Sequence, residues 1–343
     1  MDRMSGIGEK MIKSCFGFAL LSLIPFGVYA KGSRNNAITD AHVDLVGDFV
    51  YMRRQHSMEK SLILDPDKKR FCGDCSNYAI LTTKDLINDQ GFEPGFRGAV
   101  IYRYDPKWSF EGQVLWVSPW EEDQEKKGNH DLYFGINEEN YNGDYVDADK
   151  ASGNYRTDFW TAEVNGWRHW TPRNTNYFSL SGVLGMRYFH FNEGLGITYW
   201  KNLDKSHYRI HTKSDAFGVQ VGLNLQVNPT RLLTWEFVGK FGLMMDYEQV
   251  WQDFKDDDNS VTIRDFKRMR WQNGCFADVL ALLGLQFKQH LQLRGGYQFI
   301  YLSSVATAEE QVSKKLTPGS GKHVRTDGVA MIHGLLVGLV ISW

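Results

Sequence analysis

Several things are scarce in this sequence. Beyond Lys31 it holds no run of about eighteen apolar residues, which excludes a transmembrane helix in the mature chain. It has no charge excess either: 39 Lys and Arg stand against 41 Asp and Glu, for a formal net charge of −2. A basic footprint for nucleic acid is therefore missing, and no nucleic-acid partner is expected. Proline is sparse at 8, and cysteine numbers only 4. Glycine is plentiful at 33 and aromatic residues make up 14% of the 343 residues. That composition alone leaves a β-rich membrane protein and an aromatic-rich soluble enzyme both open.

The N-terminus narrows the choice. Lys10 and Lys13 precede an apolar run from Phe16 to Val28, and Val28-Tyr29-Ala30 reads as a small-x-small cleavage site. This is the pattern of a secretory signal peptide, with Lys31 as the first mature residue. Met11 is an alternative start. The run is short and interrupted by Pro25, which argues against a permanent anchor. Cys15 lies ahead of the run, so a lipid-anchored cysteine is not expected. The organisation read from the sequence is a signal peptide at 1–30, a short periplasmic segment at 31–41 and a barrel domain at 42–343.

From His42 onward polarity alternates with period two, the signature of strands whose successive side chains point to opposite faces. Phe217, Val219, Val221, Leu223, Leu225 and Val227 share one face, against Gly218, Gln220, Gly222, Asn224 and Gln226 on the other. The segments 178–188, 233–247 and 291–301 split the same way. About ten strands are expected, at 42–53, 95–105, 108–118, 155–170, 177–191, 214–227, 232–249, 270–287, 291–304 and 327–343. Twelve are an alternative if Ser61–Leu64 and Tyr78–Thr82 add a hairpin.

The connections alternate in length. Tight turns fall at 105–107, 171–176, 228–230 and 288–290. Between them lie long polar stretches at 54–94, 119–154, 192–213, 250–269 and 305–326. Short periplasmic turns and long external loops belong to up-and-down barrels of a bacterial outer membrane. Closure follows from physics, because lipid offers no partner to an open sheet edge.

Aromatic residues gather near the expected interfaces. Tyr104, Trp108, Phe110, Trp170, Phe178, Phe287 and Trp343 lie on the turn side, and Trp116, Trp120, Trp160, Tyr247, Trp251 and Tyr301 on the loop side. The chain ends in Val337, Leu339, Ile341 and Trp343 on one face. That ending is similar to the terminal-strand signal read by the barrel-assembly machinery, which is thereby an expected partner alongside the bilayer.

Short motifs carry a family resemblance over most of the chain from about residue 42. Pro94-Gly95-Phe96-Arg97-Gly98-Ala99-Val100-Ile101-Tyr102 followed by Trp108-Ser109-Phe110-Glu111-Gly112-Gln113 resembles a hairpin of chlamydial and Legionella porin-like barrels. Gly182 to Tyr188, Leu293 to Gln298 and Ile332 to Trp343 resemble strands of the planctomycete-type outer-membrane barrel family. Val340-Ile341-Ser342 stands where that family carries Glu-Tyr-Arg. The resemblance implies fold and membrane more than activity.

The polar faces of the strands define a mixed-charge lumen. Its cations are Arg97, Arg103, Arg187, Lys240 and Arg294, and its anions are Glu111, Glu163, Glu236 and Asp278. Gln113, Asn165, Gln220, Asn224, Gln226, Gln292 and Gln298 add neutral groups. Two readings stay open: a water path for small hydrophilic solutes, or a narrow interior filled by mutually paired side chains. Cys72 and Cys75 sit close enough for a local disulfide in an oxidising compartment, with a metal site involving His56 as the alternative.

Acidic clusters at 121–125 and 253–258 read as solvated loops, with cation binding as the sharper alternative. The glycine-rich stretch Thr317–Lys322 lacks the spacing of a phosphate loop. His190, His207, His211 and His323, with Asp204, Asp215 and Asp246, are candidates for a rim hydrolase. Ser179 and Ser181 are candidates for a lipid-facing nucleophile. No motif ties these groups together. The favoured reading is a porin-like or structural barrel without catalytic residues, cofactor or metal. The alternative is a surface interaction barrel that uses its loops.

Overall fold

A computed structural model of the chain describes residues 42–55, 59–65, 79–134, 147–170, 177–202, 204–230, 232–256, 262–288, 290–313 and 323–343. The expected signal peptide, the segment 31–41, and Cys72 and Cys75 lie outside these residues. So do Thr317–Lys322, His56, Asp257 and Asp258.

Among the described residues twelve strands and two helices are formed: β1 His42–Gln55, β2 Ser61–Leu64, β3 Ala79–Thr82, α1 Thr83–Asp89, β4 Glu93–Arg103, β5 Trp108–Phe134, β6 Ala148–His169, β7 Phe178–Lys201, β8 Asp204–Val227, β9 Leu233–Asp256, β10 Thr262–Lys288, β11 Leu291–Val305, α2 Ala308–Gln311 and β12 Gly328–Ser342. Ten of the strands make an antiparallel ring in which each pairs with its two neighbours in the order β1-β4-β5-β6-β7-β8-β9-β10-β11-β12. The ring closes where β12 meets β1, with Leu45 opposite Ile341 and Phe49 opposite Val337. At the seam Val43 and Trp343 exchange backbone hydrogen bonds of 3.1 and 3.2 Å. The protein is thus a closed ten-stranded antiparallel β-barrel, and all ten expected wall strands are present.

β2 and β3 do form the extra hairpin. It does not widen the wall. It attaches to the far end of β5 through Ile63 and Leu64, opposite Phe134 and Tyr133.

The turns are built from local chemistry. After Pro106, the Asp105 carboxylate accepts from the amides of Lys107 and Trp108 at 2.7 and 2.6 Å, closing the β4–β5 turn. At the other end of the barrel, Asn202 takes φ of 55°, as a two-residue hairpin between Lys201 and Asp204 requires.

The expected long loops are the main correction. Most of 119–154, 192–213 and 250–269 is strand, continuing β5 to β10 well past the apolar zone. β7 alone has 24 residues, about 80 Å of extended chain at ~3.3 Å per residue. By contrast β1, β4, β11 and β12 stop near residues 55, 93, 305 and 328. Six strands therefore project beyond the loop end of the other four.

The outward face explains the division. On β8, Phe217, Val219, Val221 and Leu223 are exposed hydrophobics, and from Asp215 to Lys205 the same face carries Lys213, His211, Arg209 and His207. On β7 the apolar outward positions run from Phe178 to Tyr188, about eleven residues, the length of a tilted spanning strand. The expected turn-end aromatics Tyr104, Trp108, Phe110, Trp170, Phe178, Phe287 and Trp343 are all exposed on this belt.

One loop-end aromatic does not belong there. A register shift between Val117 and Trp120, at Ser118-Pro119, reverses the facing of β5. Trp120 therefore points inward, fully buried, and donates its indole N–H to the Met52 carbonyl at 3.0 Å.

Candidate functional site

The inner wall is polar at the turn end, charged in the middle and apolar toward the loop end. All the expected lumen residues lie on inward positions of the wall strands, and most are joined in networks.

On one side Asp48 accepts from Arg97 at 2.7 Å and from Arg294 at 2.7 and 2.8 Å, while Asp44 holds Arg103 at 2.5 and 2.7 Å. Across the barrel Glu163 takes Lys240 at 2.6 Å, Gln113 at 2.7 Å and Gln220 at 2.6 Å. Asn165 links Glu111 to Gln220. Arg187 pairs with Asp278 at 2.5 Å, and Gln298 donates to the same carboxylate at 3.0 Å. Asn224 donates to Glu236, and Gln226 donates to Asn228 at 2.9 Å.

These contacts involve nine of the ten wall strands, all but β12, and each lone pair or proton they satisfy lowers the cost of burying charge. Sequence reasoning missed Asp44 and Asp48, the acceptors on β1. The signal was present: Asp44, Val46, Asp48, Val50, Met52 and Arg54 alternate with Val43, Leu45, Gly47, Phe49, Tyr51 and Arg53.

Below this layer lies a vestibule of about 860 Å³ at the turn end. Arg97, Arg103, Arg294, Glu111, Glu236 and Gln292 are among its lining groups. So is His169, whose ring bridges Ser109 at 2.9 Å and Ser181 at 2.7 Å. Ser179 and Ser181 face inward on β7 and are buried, so neither is presented to lipid.

Above the charged layer the interior is mostly apolar. Val50, Met52, Leu115, Trp120, Phe159, Phe189, Phe191, Met244, Phe276, Ile300 and Ile332 form one buried cluster on inward positions. Phe189 meets Phe276 edge-on at 4.8 Å.

Higher still, Leu195, Ile197 and Tyr199 of β7, Tyr208 and Ile210 of β8 and Phe254 of β9 pack against Leu62, Ile63, Leu81, Leu86, Ile87, Ala308 and Val312. The projecting strands thus wrap the β2–β3 hairpin, α1 and α2. A capping box fixes the start of α1, with the Thr82 hydroxyl and the Asp85 carboxylate each accepting from the other residue's amide.

In this upper core Arg54 bridges Glu193 at 2.7 Å and Glu309 at 3.5 Å, all three buried. Tyr155 donates to Glu193 at 2.6 Å, and Thr157 donates to the same carboxylate. Burial pushes the Glu193 carboxyl above its ordinary range, against the pull of Arg54. On α2, burial and the neighbouring Asp327 push Glu310 up to about 7.

The hydrolase candidates do not converge. His190 pairs with Asp215 at 2.7 Å on the outer face, His207 lies 3.8 Å from Asp253, and Asp246 is buried on the inner face. Tyr188, Lys213 and Asn192 complete the outer His190–Asp215 cluster at the upper border of the belt.

Three members of the acidic clusters are paired with cations. Arg156 binds Glu121, Lys150 meets Glu125 at 2.7 Å, and Lys255 meets Asp253 at 3.2 Å. Among the described residues no trio of His, Cys, Asp or Glu is placed to hold a metal. The terminal residues Val337, Leu339, Ile341 and Trp343 point outward and are exposed.

No family model matches the chain, and no curated protein matches it in sequence. Solved structures do resemble it. The outer membrane protease OmpT of Escherichia coli aligns with a TM-score of 0.47 and 7% identity, over 91% of this chain and 100% of that one. Ail, the attachment invasion locus protein of Yersinia pestis, gives 0.28 and 8% over 89% and 100%. An anion-selective porin from Comamonas acidovorans gives 0.22 and 9% over 88% and 98%. At these scores the architecture rests on the strand ladders described above, and no activity passes from any of the three to this chain.

Proposed function

We propose that the protein is a bacterial outer-membrane barrel that is sealed to solutes and works as a scaffold for its external half. The observation that carries this reading is the inward layer of Trp120, Phe159, Phe189, Phe191 and Phe276, each no more than 1% exposed. A water-filled pore would leave such side chains wet. The placement in the membrane follows from an apolar belt of spanning height around a ring without a free edge. The planctomycete-type resemblance belongs with this proposal, as do the barrel-assembly machinery as a partner of the C-terminal strand and the cleaved signal peptide.

With the lumen closed, contacts with surface partners fall to the polar outer face of the projecting strands. Removing the stretches 54–94 and 119–154 is not a clean test of that role, because they supply β2, β3, α1, more than half of β5 and the first third of β6.

Two measurements on the intact protein test the proposal. In planar bilayers the folded protein is expected to insert without discrete conductance steps; stepwise ion flow overturns the sealed reading. In whole cells, a membrane-impermeant maleimide is expected to label Lys127→Cys and not Lys107→Cys. Equal labelling of the two, or the reverse pattern, contradicts the placement.

A further inference from the structure

The inner wall holds one group of polar side chains that the networks above leave out. Asp246 and Glu248 alternate inward on β9, and across the ladder Ser214 of β8 is opposite Glu248, with Ala216 opposite Asp246 and Thr212 opposite Val250. Cross-strand neighbours on one face lie about 5 Å apart and diagonal ones about 7–8 Å. Ser214 therefore sits between the two carboxylates, with Thr212 flanking Glu248.

All four are buried: Asp246 and Glu248 completely, Ser214 to 1% and Thr212 to 2% exposure. The Ser214 hydroxyl lies beside Asp246, and the Ala306 amide beside Glu248. Even so, neither carboxylate oxygen of Asp246 or of Glu248, and neither hydroxyl, closes a hydrogen bond of good geometry. Arg270 of β10 is the cation opposite Glu248 across the ladder. Its exposed guanidinium donates to the Val324 carbonyl at 3.4 Å, and among the described residues no ion pair joins it to Glu248.

Two buried carboxylates with no ion pair are costly, and buried hydroxyls beside them that close no hydrogen bond of good geometry point to a ligand. The donor set is all oxygen, which selects a hard cation over zinc or copper. A pair of carboxylates, ionised by the ion they hold, matches a divalent charge. Calcium tolerates irregular geometry and bidentate carboxylates at about 2.3–2.6 Å, whereas magnesium demands a near-ideal octahedron.

We propose that Asp246, Glu248 and Ser214, flanked by Thr212, form a calcium site on the inner wall, where the strands leave the apolar belt. The ion would tie β8 to β9 between the two apolar clusters.

The test uses the full chain folded in detergent micelles, stripped with a chelator and titrated with calcium chloride. The expected result is saturable binding of one ion, with a rise of several degrees in the unfolding midpoint. Asp246→Asn and Glu248→Gln should each weaken binding at least tenfold. Each removes a buried charge, so both should fold. Ser214→Ala, a milder change, should weaken binding less. Glu121→Gln, on the outer face, should bind as the parent does. Absence of saturable calcium binding overturns the site, as does binding undiminished in Asp246→Asn and Glu248→Gln. A midpoint that ignores calcium while the parent protein is fully folded also overturns it.

Discussion

The turn-end and loop-end halves of β7 and β8 use one backbone geometry with opposite chemistry. Within the belt, β8 shows Phe217, Val219, Val221 and Leu223 outward and Gln220 and Asn224 inward. Beyond it, the outward positions are His207, Arg209, His211 and Lys213, and the inward ones are Tyr208 and Ile210. β7 does the same, with Leu184 and Met186 outward below and Leu195, Ile197 and Tyr199 inward above. The pleat never breaks; the solvent outside it changes. Lipid outside favours a polar, self-paired interior, while water outside favours an apolar core, so one strand carries two folding problems end to end.

The largest expected effect lies in the upper core. Arg54→Ala leaves Glu193 and Glu309 buried without their cation, and breaking one partner of such a network costs about 3–5 kcal/mol. Denaturant unfolding in micelles reads the loss directly. If the cost stays below about 1 kcal/mol, comparable to an exposed pair, the loop-end half is not the packed core described here.

A matched pair of substitutions on a single face then locates the boundary. Val221→Arg and His211→Arg both sit outward on β8, ten residues apart in sequence. At mid-belt an arginine facing lipid is expected to cost about 2–4 kcal/mol. Above the belt the same side chain should change stability by less than about 0.5 kcal/mol. Refolding into liposomes and unfolding with guanidinium measures both. Equal costs would erase the distinction between the halves.

How much of this was legible depended on which half was being read. In the belt, the outward apolar face is a strong signal, and it yielded all ten wall strands and the inward set from Arg97 to Gln298. In the projecting half the period of two persists, but the apolar members alternate with Gly194, Gly196 and Thr198 on β7 and with His207, Arg209 and His211 on β8. Segments such as 192–213 therefore pass for polar loops when only a lipid-facing stripe is sought. Trp120 was misplaced because the Ser118-Pro119 irregularity shifts the phase by one, which no alternation count reveals. Which carboxylates serve which arginines, as when Asp48 holds both Arg97 and Arg294, depends on β1 sitting beside β4 and β12. That adjacency arises only once the ring closes.

The smallest expected effect concerns chemistry shared by both halves. Arg156 meets Glu121 and Asp158 on the outer face, with the Arg156 and Glu121 side chains each more than half exposed. Lys240 meets Glu163 inside, with exposures of 7% and 1%. The residue types are comparable; the surroundings differ. Water screens the outer pair, so a double-mutant cycle between Arg156 and Glu121 should give a coupling of at most about 1 kcal/mol. It should fade at molar salt, where the Debye length falls to about 3 Å. The inner pair is sheltered, and its coupling should persist under the same salt. Should both couplings respond to salt alike, ions must reach Lys240, and the lumen at that level would have to be wet.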